Sequence, residues 1–126
     1  MRLGAGMRSV IGEVRRARFH IHRHSTSSAE GVVTHIILLP GDKNLNWEKS
    51  KEWAESIGGD LPNRIEQAML YATVPDEFKK DAYWSNTHHA SDSDYAWSQN
   101  FNYGTQLIYT TDYKLRARAV RRLTIL

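Results

Sequence analysis

Residues 83–87 are Tyr83-Trp84-Ser85-Asn86-Thr87, an aromatic and polar stretch that predicts a strand and around which the rest of the chain is organised. Further aromatic residues follow at short intervals. Eight of the thirteen aromatic side chains (four Trp, six Tyr and three Phe) lie between residues 83 and 113. Polar and turn-forming residues separate these aromatic segments. We therefore predict short antiparallel strands joined by polar loops in this half of the chain.

The preceding segment predicts a buried strand and two helices. Residues 32–39 are apolar and rich in β-branched side chains, and Pro40-Gly41 ends them. A helix is predicted over residues 46–57, with Asn46 as its N-cap and Gly58-Gly59 at its end. A second helix is predicted after Asn63, whose capping-box partner is Glu66. Two helices followed by a small antiparallel sheet with long polar loops make an α+β fold.

Four large aromatic residues are predicted to form the structural core. One begins the first helix and the other three lie on the predicted strands. These residues are Trp47, Trp84, Trp97 and Phe101.

The positive charge is distributed unevenly. Residues 1–30 hold six arginines and two glutamates, a net charge of +4, whereas residues 31–126 hold eleven basic and twelve acidic residues, a net charge of −1. The domain itself is thus nearly neutral, which argues against a basic face for nucleic acid. Arg116, Arg118, Arg121 and Arg122 lie on the last predicted strand, and we expect them to pair with the acidic helix surface from Glu48 to Glu55 or with a partner chain.

Residues 1–31 are predicted to be a flexible basic tail, and residues 32–126 a single domain. Glycines and a serine-rich tract interrupt any apolar pattern in the first segment. A GTG codon at Val32 or Val33 could serve as a start codon, in which case the reading frame is over-extended and residues 1–31 are not part of the protein. The chain has no cysteine, no apolar stretch long enough to cross a membrane and no pattern of a secretory signal peptide.

Several short motifs in a fixed order carry a resemblance to a known family. A helix that begins with Trp47 and ends in Gly58-Gly59 is followed by Leu61-Pro62 and Glu66. The aromatic stretch at residues 83–87, Ala96-Trp97, Phe101, Gly104 and Val120-Arg121-Arg122 complete the series. In order and content these motifs resemble the Lcl C-terminal-domain family, a domain of unknown function, over about residues 34–124.

The resemblance implies a C-type-lectin-like fold in a short protein encoded by a phage or prophage. The sequence departs from the family at Asp60-Leu61-Pro62-Asn63, where the family often has Arg-Leu-Pro-Thr. It also lacks the cysteines that the family often carries near its closing arginines. The sugar-binding motif of calcium-dependent lectins is absent, so neither calcium nor another metal or cofactor is carried over. The resemblance implies a location in the host cytoplasm or in the virion.

The candidate ligand-binding surface consists of the polar loop after the first sheet strand and the later aromatic turns. Aromatic rings offer rigid contact area, and the serine and aspartate side chains offer hydrogen-bonding groups. The candidate residues are His88, His89, Ser91, Asp92, Asp94, Tyr95, Tyr103, Tyr109 and Tyr113.

Three function classes remain open at this stage. The first is a non-enzymatic phage or prophage binding module for a protein or a carbohydrate, which acts as a virion accessory or receptor-binding component and can form a homo-oligomer. The second is a small intracellular phage protein that binds a host factor or nucleic acid through its arginine-rich segments. The third is a hydrolase that uses His88, His89 and Asp92, for which no nucleophile or oxyanion donor is evident.

Overall fold

The computed structural model describes residues 18–22 and 33–125, with side chains described for residues 34–124. Eight strands, two α-helices and one 3-10 turn form in this part of the chain. In chain order they are β1 (Arg18–His22), β2 (Val33–Leu38), β3 (Lys43–Leu45), α1 (Trp47–Ser56), α2 (Arg64–Thr73), the 3-10 turn (Pro75–Glu77), β4 (Ala82–His88), β5 (Tyr95–Asn100), β6 (Gln106–Thr110), β7 (Leu115–Ala117) and β8 (Val120–Ile125).

The strands form two sheets, so the fold is α+β, as the sequence predicts. A three-stranded antiparallel sheet has the order β1-β2-β8, and a five-stranded mixed sheet has the order β3-β7-β4-β5-β6. The only parallel pair among the described strands is β4 with β7. The predicted arrangement of two helices followed by one sheet therefore omits the second sheet, in which β2, from before the helices, pairs with β8.

Both helices begin at their predicted N-cap residues, and α1 ends at its predicted glycine. The Asn46 side chain accepts a hydrogen bond from Lys49 N, and Gly58 (φ 84°) ends α1 in the left-handed conformation that glycine favours. Asn63 and Glu66 form the predicted capping box at the start of α2. Local sequence is sufficient to place these helix ends.

The aromatic stretch in β4 divides the core. Tyr83 lies in one buried cluster with Leu70, Phe101 and Val120. Trp84, on the other face of the strand, lies in a second cluster with Trp47 and several small residues. The Trp84 indole donates to Leu45 O (3.0 Å) and the Trp47 indole donates to Ser85 O (2.7 Å), so both buried N–H groups have partners.

The last predicted strand, residues 115–123, is in fact two strands in different sheets. The chain leaves the five-stranded sheet after Ala117 and enters the three-stranded sheet at Val120. Between them lies Arg118, which is buried and whose guanidinium donates to Leu39 O (2.6 Å) and to Glu77 O (2.5 Å). Residues 117–120 are all buried, so strict alternation fails where the chain crosses between sheets.

The expectation that the C-terminal arginines pair with the acidic surface of α1 is wrong for the described contacts. Arg116 binds Asp42 and Asp81, Arg121 donates to Gly58 O, and Arg122 binds Glu66 and Asp60. The partners lie in the connections around the helices and in the first turn of α2 rather than on the solvent face of α1. These guanidinium groups therefore link the last strands to earlier parts of the fold.

Within residues 1–31, predicted as a flexible tail, residues 18–22 form β1, which pairs antiparallel with β2. The other residues of that segment lie outside the described part of the chain. Across the described ranges, no helix has the length and apolar character needed to cross a membrane.

Candidate functional site

Two connections meet at one end of the five-stranded sheet. Residues 89–94 join β4 to β5, and residues 111–114 join β6 to β7. β4–β5 and β5–β6 are antiparallel pairs, so β6 ends beside the start of β5, and residues 111–114 leave β6 at the same end as residues 89–94 before the chain crosses to β7 beside β4. The Thr111 amide donates to Asp94 O (2.9 Å) and holds the two together. We call residues 88–95 and 109–114 the loop end.

The first helix is fixed to the loop end by its opening residue. The Trp47 amide donates to Thr111 O (3.1 Å), and the Trp47 ring lies 4.2 Å from the His88 ring, centre to centre. The ammonium group of Lys51 lies 4.0 Å from the centre of the same indole ring. His88 is therefore exposed but rests against a buried aromatic anchor.

Hydrogen bonds within the β4–β5 loop fix its conformation. The Asp92 side chain accepts from the Asp94 amide (3.0 Å), and the Tyr95 amide donates to Asp92 O (3.1 Å). The Ser91 amide and hydroxyl both lie 3.3 Å from His89 Nδ1. A loop held in this way loses little conformational entropy when it binds a ligand.

A shallow depression of about 380 Å³ lies where the two connections touch. The Tyr113 ring lies 5.6 Å from the Tyr109 ring and forms one side of the site. Two aspartates and two threonines complete the lining, so residues with hydrogen-bonding groups stand beside an aromatic ring. The residues that line the depression are Asp94, Thr110, Thr111, Asp112 and Tyr113.

Eight of the nine candidate ligand-binding residues lie at the loop end, although only Asp94 and Tyr113 of them line the depression, and one lies elsewhere. His88, His89, Ser91, Asp92, Asp94, Tyr95, Tyr109 and Tyr113 all belong to the loop end. Tyr103 lies in the turn between β5 and β6, at the opposite end of the same strands, and is 76% exposed. The expectation of one surface that includes Tyr103 is therefore corrected.

Of the four residues predicted to form the core, Trp47, Trp84 and Phe101 are buried, whereas Trp97 is only partly buried. The Trp97 ring lies on the sheet face that α2 approaches. There the Arg64 guanidinium lies 3.5 Å from the ring centre, and the His89 ring lies 6.0 Å away. A cation and an imidazole thus lie against the Trp97 ring.

The three residues of the hydrolase hypothesis do not converge. His88 contacts Trp47, His89 lies near Trp97 and Ser91, and the Asp92 carboxylate accepts from the Asp94 amide. The Ser91–His89 contact joins two residues of one exposed turn and has no carboxylate partner among the described contacts. Such an arrangement does not form the nucleophile, base and orienting group of a catalytic triad.

The groups with shifted pKa values lie outside the loop end. Burial, followed by the hydrogen bond to Asp42, raises the pKa of Tyr83 well above its ordinary value of 10.0. The two hydrogen bonds to Glu66 raise the pKa of Arg122, and burial lowers the pKa of Arg118. These groups link core elements to one another, which is a structural arrangement.

Sequence reasoning missed the threonine pair and Asp112 as lining residues. The tripeptide Thr110-Thr111-Asp112 directly precedes Tyr113 in a predicted turn, so its hydroxyl and carboxylate groups were available as a signal. Within the described residues no group of three histidine, aspartate or glutamate side chains is placed to hold a metal ion.

Comparison with protein-family models and with curated proteins finds no match to this chain. The resemblance to the Lcl C-terminal-domain family therefore stays a prediction from sequence motifs.

Proposed function

We propose that the protein is a non-enzymatic binding module that recognises a carbohydrate through its loop end. The observation that carries this proposal is the depression in which Tyr113 stands beside Asp94, Asp112 and the two threonine hydroxyls. The apolar face of a sugar ring packs well against an aromatic ring, and its hydroxyls donate strong hydrogen bonds to carboxylates. The mixed polar and apolar lining and the small volume suit one or two sugar units on a larger chain.

A protein epitope is the alternative ligand of the same surface. Tyrosine, serine and aspartate side chains are also the residues with which binding loops contact proteins. The depression is shallow and continues into the exposed side chains of residues 91–94, so a flat epitope could extend over both.

The C-type-lectin-like fold and the phage or prophage setting belong to this proposal and rest on the sequence resemblance. In such a setting the module would serve as an accessory or receptor-binding component of the virion, or act in the host cytoplasm. The α+β architecture with ligand-binding loops at one end of the sheet is compatible with that role.

The nucleic-acid alternative receives less support, because the C-terminal arginines already have partners. Arg116, Arg118 and Arg122 donate to carboxylates or backbone carbonyls of the same chain. A phosphate would have to compete with these contacts. This alternative thus depends on the arginines of residues 1–30, and it predicts nucleic-acid affinity that falls steeply with salt concentration.

A glycan array with the full chain, followed by calorimetric titration of the best ligand, tests the proposal. Tyr113→Ala should weaken binding by about tenfold or more, as expected when an aromatic contact in a binding site is lost. Tyr103→Ala is the matched control, because it removes the same side chain from an exposed turn at the other end of the sheet. We expect it to leave affinity unchanged, and we expect EDTA to have no effect.

Two results would contradict the proposal. Absence of binding to any glycan rules out the carbohydrate ligand and leaves the protein epitope. Loss of binding in Tyr103→Ala with full binding in Tyr113→Ala would place the ligand at the other end of the sheet.

A further inference from the structure

The outer edge of β6 presents backbone groups with no strand partner in the described part of the chain. β6 is the last strand of the order β3-β7-β4-β5-β6. The Asn100 amide donates to Thr105 O, and the Thr111 amide donates to Asp94 O. In an antiparallel ladder every second residue bonds to the neighbouring strand, so these two bonds identify the residues of β6 whose backbone groups point towards β5. The N–H and C=O groups of Gln106 and Ile108, and the N–H of Thr110, therefore point away from the sheet.

This edge lacks the features that keep strand edges from pairing. Proteins protect edge strands with charged side chains, prolines, bulges or short length. The opposite edge, β3, has only three residues and includes Lys43, and β8 at the edge of the other sheet carries Arg121 and Arg122. In contrast, the five residues of β6 (Gln-Leu-Ile-Tyr-Thr) include no charge and no proline, and Leu107 and Ile108 are exposed.

A mostly apolar groove of about 660 Å³ lies beside this edge, between α2 and β6. Gln106 joins the two elements, since its side chain donates to Arg64 O (2.8 Å) and accepts from Arg64 Nε (2.9 Å). Ile108 lies two residues further along β6 and hence on the same face of the sheet. The groove is lined by Arg64, Ile65, Ala68, Met69, Ala72 and Gln106.

We infer that a second copy of this chain binds at this edge and forms a two-fold symmetric dimer through paired β6 strands. Antiparallel pairing centred on Ile108 pairs the N–H and C=O of Ile108 with those of Ile108 in the other copy, and it lets the Thr110 N–H donate to Gln106 O across the seam. The Gln106 N–H then shares Thr110 O with the Tyr113 amide. Because β6 carries no charge, identical strands meet without repulsion. This match of a strand to itself favours a second copy over an unrelated peptide.

The same two-fold axis brings both α2 helices to one face of the joined sheet. Ile65, which is exposed in the single chain, then lies beside the seam with Met69, and the apolar grooves of the two copies face each other. Backbone pairing and burial of apolar surface thus support the same arrangement, as in interfaces formed by addition of a strand to a sheet edge.

Light scattering coupled to size exclusion, and sedimentation over a wide concentration range, test the dimer with the full chain. The wild type should have twice the mass of the 14.5 kDa chain. Ile108→Lys places two like charges opposite each other at the axis and should weaken the dimer by about tenfold or more. Ile57→Lys is the control, because Ile57 has the same 37% exposure and belongs to neither β6 nor the groove.

Each outcome decides the question. A dimer in the wild type and in Ile57→Lys, with dissociation in Ile108→Lys, supports the proposal. A wild-type monomer up to millimolar concentration overturns it and leaves the edge to a strand of another protein, and an unchanged dimer in Ile108→Lys overturns the β6 interface. If Ile108→Lys fails to fold, hydrogen exchange of the wild type replaces it: amides 106, 108 and 110 must become protected as concentration rises.

Discussion

Replacing Arg122 with methionine should destabilise the fold more than replacing any exposed arginine. The Arg122 guanidinium donates to both oxygens of Glu66 (2.6 and 2.7 Å), to Asp60 Oδ2 (2.9 Å) and to Leu61 O (3.1 Å). The Glu66 side chain is only 5% exposed, whereas that of Asp60 is 41% exposed. Methionine keeps most of the side-chain stem and removes the charge, so the variant isolates the ion pair.

The two carboxylates contribute unequally to the expected loss. Removal of one partner from a buried ion pair leaves an uncompensated charge and costs about 3–5 kcal/mol. Glu66 keeps one hydrogen bond, from the Asn63 amide, which places its cost at the lower end of that range. Asp60 regains water, so its lost pair adds less than about 1 kcal/mol. We expect the free energy of unfolding to fall by about 3 kcal/mol.

Urea unfolding followed by tryptophan fluorescence measures this loss. With a slope of about 1.5 kcal/mol per molar urea, the midpoint should fall by roughly 2 M. Arg121→Met is the matched control, since this neighbouring arginine is exposed and donates only to Gly58 O, and it should change stability by less than about 0.5 kcal/mol.

A double-mutant cycle shows whether Glu66 is the source of the loss. Glu66→Gln removes the buried charge and keeps an oxygen for the Asn63 amide, so the double variant should be more stable than the sum of the two single losses by about 2 kcal/mol. A loss below about 1 kcal/mol in Arg122→Met, or a coupling energy near zero, would refute the reasoning.

Two further predictions concern interior contacts. The raised pKa of Tyr83 means that the folded state favours the neutral phenol, so the contribution of Tyr83 to stability is complete below pH 10.0 and is lost as pH rises further. Tyr83→Phe should lower the free energy of unfolding at pH 8 by about 1–2 kcal/mol, because the hydrogen bond to Asp42 is lost. It should also make the loss of stability at alkaline pH shallower, which urea titrations at several pH values would measure. An equal decline in both proteins above pH 10.0 would contradict this assignment. Gly104→Ala should lower the free energy of unfolding by about 2 kcal/mol, because the residue has φ 83° and the added Cβ would stand 2.7 Å from the Tyr71 ring. Thermal unfolding measures this loss, and unchanged stability would show that the turn tolerates a side chain.

Local sequence predicts the helices and most strands well, because their determinants are local. Asn46, Asn63 and Glu66 cap the helices by contacts within four residues of the chain. The division into two sheets has no such determinant. Val33 pairs with Ile125, and nothing in either segment identifies the other as its partner.

The same distinction explains the errors at the last strand and in the core. The alternation of residues 115–123 predicts one continuous strand, but the buried Arg118 makes its contacts with Leu39 and Glu77, far away in the chain. Trp97 has the size of a core residue, yet its cover is Arg64 from α2. Both outcomes depend on long-range contacts that composition and spacing do not encode.

At the candidate site, composition identified the aromatic and polar residues, while strand direction decided which of them meet. The chain reverses between β5 and β6, so Tyr103 in that turn cannot lie beside Tyr113 in the next one. Antiparallel hairpins place alternate connections at opposite ends of a sheet. Counting hairpins along the predicted strands would therefore have separated Tyr103 from the loop end.

The proposed ligand surface and the proposed dimer interface share β6 but use different parts of it. Tyr109 contacts Tyr113 at the loop end, whereas Ile108 faces the opposite side of the sheet beside the groove. Since paired β6 strands run in opposite directions, the loop ends of a dimer would point away from each other. Such a dimer could not bind two neighbouring sugars on one flat surface and gain avidity, because simultaneous engagement requires a matching geometry. It would instead join two separate surfaces, so a multivalent glycan in solution should be cross-linked by the wild type but not by Ile108→Lys.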